Sequence, residues 1–497
     1  MKKYFLRYSL KFVLCFFLGV LSFLAVSAQP GSTPISLHPD NPRYFLFRGK
    51  PTILVTSGEH YGAVLNLDFD YNTYLNTLQA DGLNYTRIFS GAYVEIPGAF
   101  DITDNTLAPA AGKFISPWQR SNQPGYFSGG NKFDLEQWDP AYFQRLRDFV
   151  TQAGKRGIVV EMTLFSSYYS DDKGWMNSPL NPRNNINNTS DFTRHKVQTL
   201  ENGNLLSYQE KMVRKIVQEL NGFDNVIFEI QNEPWSDNPQ DSGPIQQELP
   251  NPADWQKKVE VANEASLAWQ KQIATFIVSE ESKLPRKHLI AQNISNFYHS
   301  IIQPDPQVSI FNFHYALPQA VWLNKNLKKV IGFDESGFSG NVDEVYRMQA
   351  WRFLLAGGGL FNNLDYSFTI DKEDGTAQQS APGGGSPAFR KQLGILKTFL
   401  HNLPFIRMEP SQEIVKNNPT GQVFALAQKN KAYAVYLTGK NLKQLEIDLP
   451  AGNYQAEWIN VLTGKKEKCE KIKASGSTVK LLVPAYEQDI ALKILKL

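Results

Sequence analysis

Between about residue 40 and residue 403, short apolar runs alternate with longer segments in which apolar residues recur every three or four positions. The short runs are typical of buried strands, and the longer segments have the spacing of amphipathic helices. The predicted strands are 52–56, 84–89, 158–162, 226–230, 288–291, 310–314, 330–333 and 359–364. The predicted helices are 71–80, 140–153, 208–220, 255–282, 345–355 and 389–400.

This alternation predicts an α/β fold, because helices are the usual connections between parallel strands. Eight strands interleaved with helices favour a (β/α)8 barrel, the TIM barrel, and we assign residues 29–405 to it. A doubly wound open sheet is the alternative. In a (β/α)8 barrel the active site lies at the C-terminal ends of the strands.

The pattern changes after about residue 410, where helical spacing ends and short β-rich runs follow one another. These runs are 423–426, 432–436, 445–448, 454–458, 479–482 and 490–492. Turn dipeptides such as Thr438-Gly439 and Ala451-Gly452 separate them. Short strands with regular turn signals predict a small antiparallel β-sandwich, which we assign to residues 406–497.

The first 28 residues have the three parts of a cleavable export signal. Four basic residues within the first eleven positions precede an apolar stretch over 12–26, and Val26-Ser27-Ala28 fits a cleavage site. A retained membrane anchor is the alternative, but the apolar stretch is short for a span. We expect residues 1–28 to be removed, and the mature chain, without a membrane span, to be periplasmic or extracellular.

Composition narrows the classes of partner. The formal net charge of +3 for 497 residues falls to −1 once the four positive charges of the signal are removed. A nearly neutral chain gives no reason to expect nucleic acid or an anionic membrane as partner. Only Cys469 would remain in the mature chain, which leaves neither an intramolecular disulfide nor a cysteine-based metal site.

Two of the predicted strands end in acidic residues. The fourth leads into Asn232-Glu233-Pro234 and the seventh into Asp334-Glu335. Pro234 is expected to hold Glu233 in an extended conformation. Cleavage of a glycosidic bond needs one carboxyl group to protonate the leaving oxygen and a second to attack or stabilise the sugar carbon. We predict Glu233 as acid/base and Glu335 as nucleophile.

Asp334 is the alternative nucleophile. Adjacent residues of a strand point to opposite faces, so only one residue of the Asp334-Glu335 pair should face the site. We favour Glu335 over Asp334, by analogy with the position of Glu233 in its own motif.

Further polar residues at strand ends are candidates for substrate binding. Arg87 on the second strand would keep the nucleophile ionised by lowering its pKa. Tyr315, after the sixth strand, could donate a hydrogen bond to Glu335, and Asn232 could bind a sugar hydroxyl group. His314 is either part of the site or a structural histidine. The remaining candidates are Glu59 and His60 after the first strand, Trp235 after the fourth and Asp365 after the eighth.

Other chemistries find little support. Glu161 and Glu229 lie inside predicted strands and are assigned no role. Barrel hydrolases that use a divalent metal carry His-x-His at strand one, whereas this chain has seven histidines and no such motif there. No phosphate-cradling glycine-rich loop follows a strand. We therefore predict no metal and no cofactor.

Two predicted connections, 90–138 and 166–206, are unusually long. Long connections in compact domains tend to be lids or binding loops. Their aromatic residues are expected to wall the cleft, or else only to anchor their own loops. These residues are Trp118, Tyr126, Phe127, Tyr168, Tyr169 and Trp175. Such walls favour a closed pocket and exo-type action on a short oligosaccharide.

With these residues in place, the chain resembles clan A of the glycoside hydrolases, the retaining (β/α)8 enzymes. The shared features lie between about residues 40 and 405: Asn232-Glu233-Pro234, Glu335, Arg87 and His314-Tyr315. Among named groups, the chain is similar to family 5 cellulase-like enzymes and to apiosidase-like bacterial proteins. It departs from the family 5 pattern at the ends of strands three and eight, which read Met162-Thr163-Leu164 and Asp365-Tyr366.

The resemblance implies double displacement with net retention of configuration, with Glu233 as acid/base and Glu335 as nucleophile. We expect an exported retaining glycosidase that acts on plant or host oligosaccharides or polysaccharides. A carbohydrate-binding protein that has kept the barrel and lost catalysis is the alternative from another class.

Overall fold

The computed structural model describes residues 33–58, 60–169, 172–240, 258–378, 382–417, 423–439 and 442–497. The predicted export signal and Glu59 lie outside these residues. Within the described part of the chain, no helix is both long enough and apolar enough to cross a membrane.

Eight parallel strands form a barrel, which confirms the predicted (β/α)8 fold. They are β1 (Leu54–Thr56), β2 (Tyr85–Phe89), β3 (Val159–Ser166), β4 (Val226–Asn232), β5 (Leu289–Asn296), β6 (Ile310–His314), β7 (Val330–Glu335) and β8 (Leu360–Asn362). The ladder runs in the order β1-β8-β7-β6-β5-β4-β3-β2, so strands that are neighbours in sequence pair in space. Asn84 closes the gap between β1 and β2: its side chain accepts from the Val55 N–H at 2.9 Å and donates to the Ile53 carbonyl at 3.0 Å.

The main helices surround the barrel and mostly follow the predicted spacing. They are α1 (Tyr71–Ala80), α2 (Pro140–Lys155), α3 (Leu205–Leu220), α4 (Glu264–Ser282), α5 (Pro318–Asn324), α6 (Asp343–Leu355) and α7 (Pro387–His401). Side-chain caps begin several of them: Asp70 caps α1, Asp139 caps α2 and Ser386 caps α7. Residues 297–309, between β5 and β6, contain no helix.

The prediction for α4 placed its start too early. Residues 255–257 lie outside the described part, and 258–263 are extended rather than helical. Val261–Ala262 is a short strand that pairs antiparallel with β5, and the Asn263 side chain then caps the helix by accepting from the Ser266 N–H at 2.9 Å. The helix therefore begins at Glu264, although the helical spacing of apolar residues continues before it, because the Asn263 cap and the added strand fix its start.

The two long connections contain structure of their own. The first carries a β-hairpin, Trp118–Pro124 with Asn131–Trp138, and the second carries the short helices Lys173–Asn177 and Arg194–Val197. At the opposite end of the barrel, a three-stranded sheet (Ser36–Leu37, Phe45–Phe47, Lys50–Thr52) packs on the first residues of the barrel strands. The sheet covers the N-terminal end, and the long loops cover the C-terminal end.

The C-terminal region forms the predicted antiparallel β-sandwich. Its strands are β9 (Glu409–Pro410), β10 (Val423–Gln428), β11 (Ala432–Thr438), β12 (Gln444–Asp448), β13 (Gly452–Ile459), β14 (Lys466–Ala474), β15 (Thr478–Leu482) and β16 (Asp489–Lys496). Six pair in the order β9-β10-β11-β16-β13-β14, and β12 pairs with β15 across a separate apolar core.

A buried ion pair joins the sandwich to the barrel. Arg347 of α6 binds both carboxylate oxygens of Asp489 on β16, at 2.8 and 2.9 Å. The Tyr436 hydroxyl donates to the same carboxylate at 2.6 Å, and its ring stacks on Trp351 of α6 with centroids 5.1 Å apart. These contacts fix the sandwich against α6.

Candidate active site

Glu233 follows β4 and presents its carboxylate at the C-terminal end of the barrel. Its backbone is left-handed, with φ 47° and ψ 52°, so the predicted extended conformation is wrong. Hydrogen bonds to residues of β5 and of the loop after β3 explain the difference. The Glu233 N–H donates to Asn293 Oδ1 at 3.2 Å, and its carbonyl accepts from Ser167 Oγ at 2.6 Å. These bonds outweigh the steric preference that Pro234 imposes.

Glu335 is the last residue of β7, and a bulge sets its direction. Phe313 of β6 pairs with Phe333, but the next residue, His314, pairs with Glu335. Asp334 is therefore an extra residue in the ladder, which breaks the usual alternation of faces. Both carboxylates reach the barrel interior, with Asp334 fully buried and Glu335 at the pocket. The expectation that only one of the two would face inward is wrong for this reason.

Tyr315 joins the two glutamates. Its hydroxyl lies 3.1 Å from Glu233 Oε1 and 2.9 Å from Glu335 Oε1. A carboxylate oxygen of Glu233 and one of Glu335 lie within 4.8 Å of each other. This upper limit is compatible with the ~5–5.5 Å that separates the carboxyl groups of retaining glycosidases. A single sugar carbon could therefore be reached from both residues.

Two further tyrosines hold the carboxylates. The Tyr169 hydroxyl donates to Glu233 Oε2 at 2.9 Å, and the Tyr61 hydroxyl donates to Glu335 Oε2. Sequence reasoning placed Tyr169 only in the cleft wall and missed Tyr61, which lies in the loop after β1. The sequence did offer one indication, because Tyr61 is an aromatic residue that directly follows the candidates Glu59 and His60.

Arg87 lies inside the barrel beneath the glutamates and is fully buried. Its strongest partner is Glu229 of β4, whose Oε2 accepts from Nη2 at 2.6 Å and from Nε at 2.8 Å. Nη2 also donates to Asn232 Oδ1 at 2.7 Å, and Nη1 lies 3.4 Å from Glu335 Oε2. Arg87 thus contacts the predicted nucleophile, and Glu229, to which no role was assigned, anchors the guanidinium group.

A second layer of carboxyl groups lies below the site. Glu161, Glu229 and Asp334 have oxygens within 4.8 Å of one another, and all three side chains are buried. Burial and the nearby charges of Glu229 and Asp334 hold the pKa of Glu161 well above its usual range. Burial raises the pKa of Glu229 to about 7, against the effect of Arg87. Neutral forms of these groups reduce the repulsion that three buried carboxylates would otherwise suffer.

His314 is the cation that faces both glutamates. Its Nδ1 lies 3.0 Å from Glu233 Oε1 and 3.4 Å from Glu335 Oε2, and its Nε2 lies 3.4 Å from Asp334 Oδ1. Burial lowers the pKa of His314, but the charges of Glu335 and Asp334 outweigh it and hold this pKa well above the usual range. These charges favour the protonated form of His314, the imidazolium.

The same contacts keep Glu335 ionised. Burial raises the pKa of Glu335, but the charge and the hydrogen bond of His314, together with Arg87 and Tyr315, outweigh it. The net effect holds the pKa of Glu335 below its usual range. The site thus combines an ionised carboxylate at Glu335 with a second carboxyl group at Glu233.

Comparison with known proteins identifies this arrangement. The family model described as Cellulase (glycosyl hydrolase family 5) matches residues 69–305. Over this span the chain is similar to the family 5 glycoside hydrolases of clan A. The match supports a retaining glycoside hydrolase. The matched span includes Arg87, Asn232 and Glu233, and ends before Glu335.

Solved structures share the fold of this glycosidase over nearly its whole length. A family 5 glycoside hydrolase from Bacteroides vulgatus ATCC 8482 has a TM-score of 0.62 and 13% identity, with 94% of each chain covered. A second structure, described as a glycoside hydrolase, has a TM-score of 0.61 and 12% identity, with 93% of this chain and 97% of that chain covered. No curated protein matches the sequence.

The other candidate residues lie at different distances from the reacting centre of the glycosidase. Asn232 and Asp365 line the pocket. The Asp365 carboxylate already accepts from Ser57 at 2.6 Å and pairs with Arg390 at 3.1 Å, so it braces the floor. Glu59 lies outside the described residues.

Two of the candidates need correction. His60 reaches the pocket wall, but its ring stacks on Phe69 and its Nε2 faces the Phe368 carbonyl at 2.8 Å. These contacts occupy the His60 ring, which was expected to contact a sugar. His60 therefore shapes the pocket wall instead. Trp235 is only 2% exposed and packs edge-on against His314, with centroids 5.3 Å apart. Because the indole is buried behind His314, it orients that ring rather than stacking on a sugar.

The aromatic residues of the long loops mostly anchor those loops. Of the six predicted, Tyr169 lines the pocket. Phe127 is exposed elsewhere, and the other four are buried. Phe100 and Phe338, which were not predicted, complete the aromatic wall.

Backbone strain is concentrated at this pocket. Six residues that line it have positive φ although none is glycine, which is uncommon for bulky side chains. They are Phe100 (56°), Asp104 (50°), Tyr169 (60°), Glu233 (47°), Tyr315 (52°) and Phe338 (64°). Such conformations persist where the surrounding structure over-determines them, and they are common at functional sites.

Two sets of side chains in the described residues have the spacing of a metal site: Glu233, His314 and Glu335, and the buried set Glu161, Glu229 and Asp334. In the first, the three side chains are already bonded within the protein: the Tyr315 hydroxyl lies 3.1 Å from Glu233 and 2.9 Å from Glu335, and His314 Nδ1 lies 3.0 Å from Glu233. In the second, Arg87 already lies 2.6 Å from Glu229 and 3.6 Å from Asp334. A guanidinium in that position occupies the place of a cation, so these side chains fit a metal ion poorly.

Loss of the imidazolium should shift the pH profile of the glycosidase. We expect His314→Gln to raise the pKa of Glu335, because burial then opposes ionisation with less compensation. The acid limb of kcat/KM should move to higher pH, since it reports the free enzyme. The measurement is kcat/KM on an aryl glycoside between pH 3 and pH 9.

His60→Gln is the matched control for that profile. Burial lowers the pKa of His60 to about 4, so its replacement removes no charge at neutral pH. The acid limb of kcat/KM for His60→Gln should therefore coincide with that of the wild-type enzyme at neutral and mildly acidic pH. An acid limb that does not move in His314→Gln would show that the imidazolium does not control Glu335.

Proposed function

We propose that Glu335 is the nucleophile and Glu233 the acid/base of this retaining glycosidase. The observation that carries the proposal is the Tyr315 hydroxyl, which lies about equally far from Glu233 Oε1 and Glu335 Oε1, at 3.1 and 2.9 Å. One hydroxyl within reach of both carboxylates supports the proposal that the two residues act on the same sugar carbon and its leaving oxygen.

In the first step, the ionised Glu335 attacks the anomeric carbon while Glu233 gives its proton to the leaving oxygen. The C–O bond to the leaving group breaks, and an ester forms between the sugar and Glu335. His314 and Arg87 stabilise the Glu335 carboxylate before attack, and Tyr315 and Tyr61 orient its oxygens.

In the second step, Glu233 takes a proton from water, and the resulting oxygen attacks the same carbon from the side that the leaving group vacated. The ester breaks, Glu335 returns to its ionised form and Glu233 regains its proton. Two inversions give net retention of configuration. Tyr169 and His314, both bonded to Glu233, hold the carboxyl group where it serves in both steps.

We further propose exo-type action on short plant or host oligosaccharides. The pocket has a volume of about 110 Å³, and loop residues such as Phe100, Ile102, Phe338 and Tyr366 wall it. A pocket of this size is below the usual ~300–1,000 Å³ of ligand sites, which favours one terminal sugar unit over the middle of a polymer.

Product analysis tests the exo proposal. With an oligosaccharide panel, we expect mono- or disaccharides to be released from the first minutes while the remaining chain shortens one end at a time. Glu335→Gln protein, which should give no products, is the control for contaminating activities. A mixture of internal fragments at early times would contradict exo-type action.

We also propose export, on the strength of residues 1–28 alone. The expected result is that the protein recovered from producing bacterial cells begins at Gln29 and lies in the periplasm or the medium. N-terminal sequencing of the fractionated protein checks this. A cytoplasmic protein that still begins at Met1 would refute the proposal.

A further inference from the structure

A second cavity lies where the barrel meets the sandwich. It has a volume of about 650 Å³, and its walls come from α5, α6, the start of β10 and residues 412–415. Ala316 lines one end of it and directly follows Tyr315, the residue shared by the two glutamates. This interdomain groove is therefore a neighbour of the catalytic pocket, although neither glutamate borders it.

An exposed indole forms part of the groove. Trp322 of α5 is 38% exposed, which is unusual for a tryptophan on a helix that packs between two domains. Its ring is nearly parallel to that of Phe424 on β10, with centroids 6.2 Å apart and an interplanar angle of 15°. The Trp322 indole, which stacks on Phe424, therefore offers a flat aromatic surface. Such a surface can pack against a flat apolar face of a bound molecule.

Three polar side chains that line the same groove are half-buried: Gln349, Arg352 and Gln412. Each glutamine amide carries donors and an acceptor, and the guanidinium group carries donors only. The groove lining therefore includes both donors and acceptors.

The guanidinium group of Arg352 is held in place without a carboxylate partner in the described part of the chain. Its Nη2 lies 3.4 Å from Thr438 Oγ1 and 3.7 Å from Met348 Sδ. These contacts orient the guanidinium group, and the Arg352 side chain lines the groove. A fixed donor of this kind suits hydroxyl groups, which accept and donate hydrogen bonds at once.

We propose that the interdomain groove is a second, non-catalytic sugar-binding site that holds a saccharide unit of a glycan. A sugar ring presents an apolar C–H face for Trp322 and a rim of hydroxyl groups for Gln349, Arg352 and Gln412. The groove volume lies within the range of small-molecule sites. The proposal rests on the proposed function only for the class of ligand, and it gives the sandwich a part in binding.

Retardation in polysaccharide gels tests the site. Full-length Glu335→Gln protein, which should not cut the polymer, is run in gels that contain hydroxyethylcellulose, glucomannan, arabinoxylan, xyloglucan, polygalacturonate or mucin. We expect at least one polymer to retard it. Adding Trp322→Ala should weaken the apparent affinity for that polymer at least about fivefold, roughly 1 kcal/mol.

Two variants protect the test from misfolding. Gln349→Ala keeps the aromatic surface and should also weaken binding. Leu323→Ala changes a neighbouring side chain of α5 that is 50% exposed and lies outside the groove, and it should leave binding unchanged. If no polymer shows an affinity that depends on both Trp322 and Gln349, the site does not exist.

Hydrolysis separates this inference from the proposed function. Trp322→Ala in an otherwise unchanged chain should keep the wild-type kcat/KM on a small aryl glycoside, which is too short to reach the groove. Normal hydrolysis without Trp322-dependent retardation overturns the second site alone. Retardation that depends on Trp322 in a chain that hydrolyses nothing supports the second site and overturns the proposed catalytic roles.

Discussion

Glu335→Gln should lower kcat/KM on any substrate by about 10⁴-fold or more, because it removes the group that forms the covalent intermediate. The amide has the size of the carboxyl group, and its oxygen can still accept from one of the two tyrosines, while the other hydroxyl can accept from the amide N–H, so the pocket should keep its shape. Steady-state kinetics on aryl glycosides, with thermal unfolding as a check on folding, measures the effect.

A matched control is available for this substitution. Glu373 is also buried, at 8% exposure, but it lies outside the pocket and accepts from the Asp70 N–H at 3.2 Å. Glu373→Gln should leave kcat/KM within about twofold of wild type, a change of less than 0.5 kcal/mol. Retention of a tenth of the wild-type activity by Glu335→Gln would show that another group is the nucleophile.

Glu233→Ala should respond in a different way. On an aryl glycoside with a good leaving group, the first step needs no acid, so the ester to Glu335 forms and then accumulates because no base activates water. We expect kcat to fall by about 10²–10⁴-fold. Azide, which needs no base, should attack the ester and raise kcat by at least about tenfold.

The azide product distinguishes the two glutamates. Glu233→Ala should give a glycosyl azide of retained configuration, because azide replaces water in the second of two inversions. Azide acting directly on the substrate of Glu335→Gln would give the inverted product, because only one displacement takes place. Proton NMR of the products reads the configuration. Failure of azide to change the rate of Glu233→Ala would remove Glu233 from the acid/base role.

Much of this architecture was predictable because it depends on local patterns. Apolar runs and helical spacing located the eight barrel strands, and the loss of helical spacing near residue 410 located the sandwich. The rule that parallel strands present their C-terminal ends at one rim then brought Glu233, His314 and Glu335 together. These side chains do meet, through contacts of 3.0 to 3.4 Å.

What the sequence did not reveal depends on irregular backbone and on contacts across the barrel. The bulge at Asp334 and the left-handed backbone of Glu233 have no signature in a strand pattern. The pairing of Arg87 with Glu229 joins strands that are not neighbours in the ladder, so no local spacing indicates it. Tyr61 was missed because its hydroxyl acts across the pocket from a loop.

The site depends on charge balance in a buried layer, and this explains why an internal glutamate matters. Glu229 holds Arg87 by two hydrogen bonds, and Arg87 in turn contacts Asn232 and Glu335. The charges of Arg87 and His314 keep Asp334 and Glu335 ionised, with the pKa of each carboxyl group below its usual range. The ionised state of Glu335 therefore depends on residues below the pocket as well as on residues at its rim.

The central claim is that Glu335 forms the covalent intermediate, and trapping that intermediate tests it most directly. The reagent is a 2-deoxy-2-fluoro glycoside with a good leaving group, made from whichever sugar the enzyme cleaves as its aryl glycoside. Mass spectrometry of the treated protein should show one added sugar, and peptide mapping should place it on Glu335. A label on Asp334, or release of the inverted sugar without any label, would contradict the account.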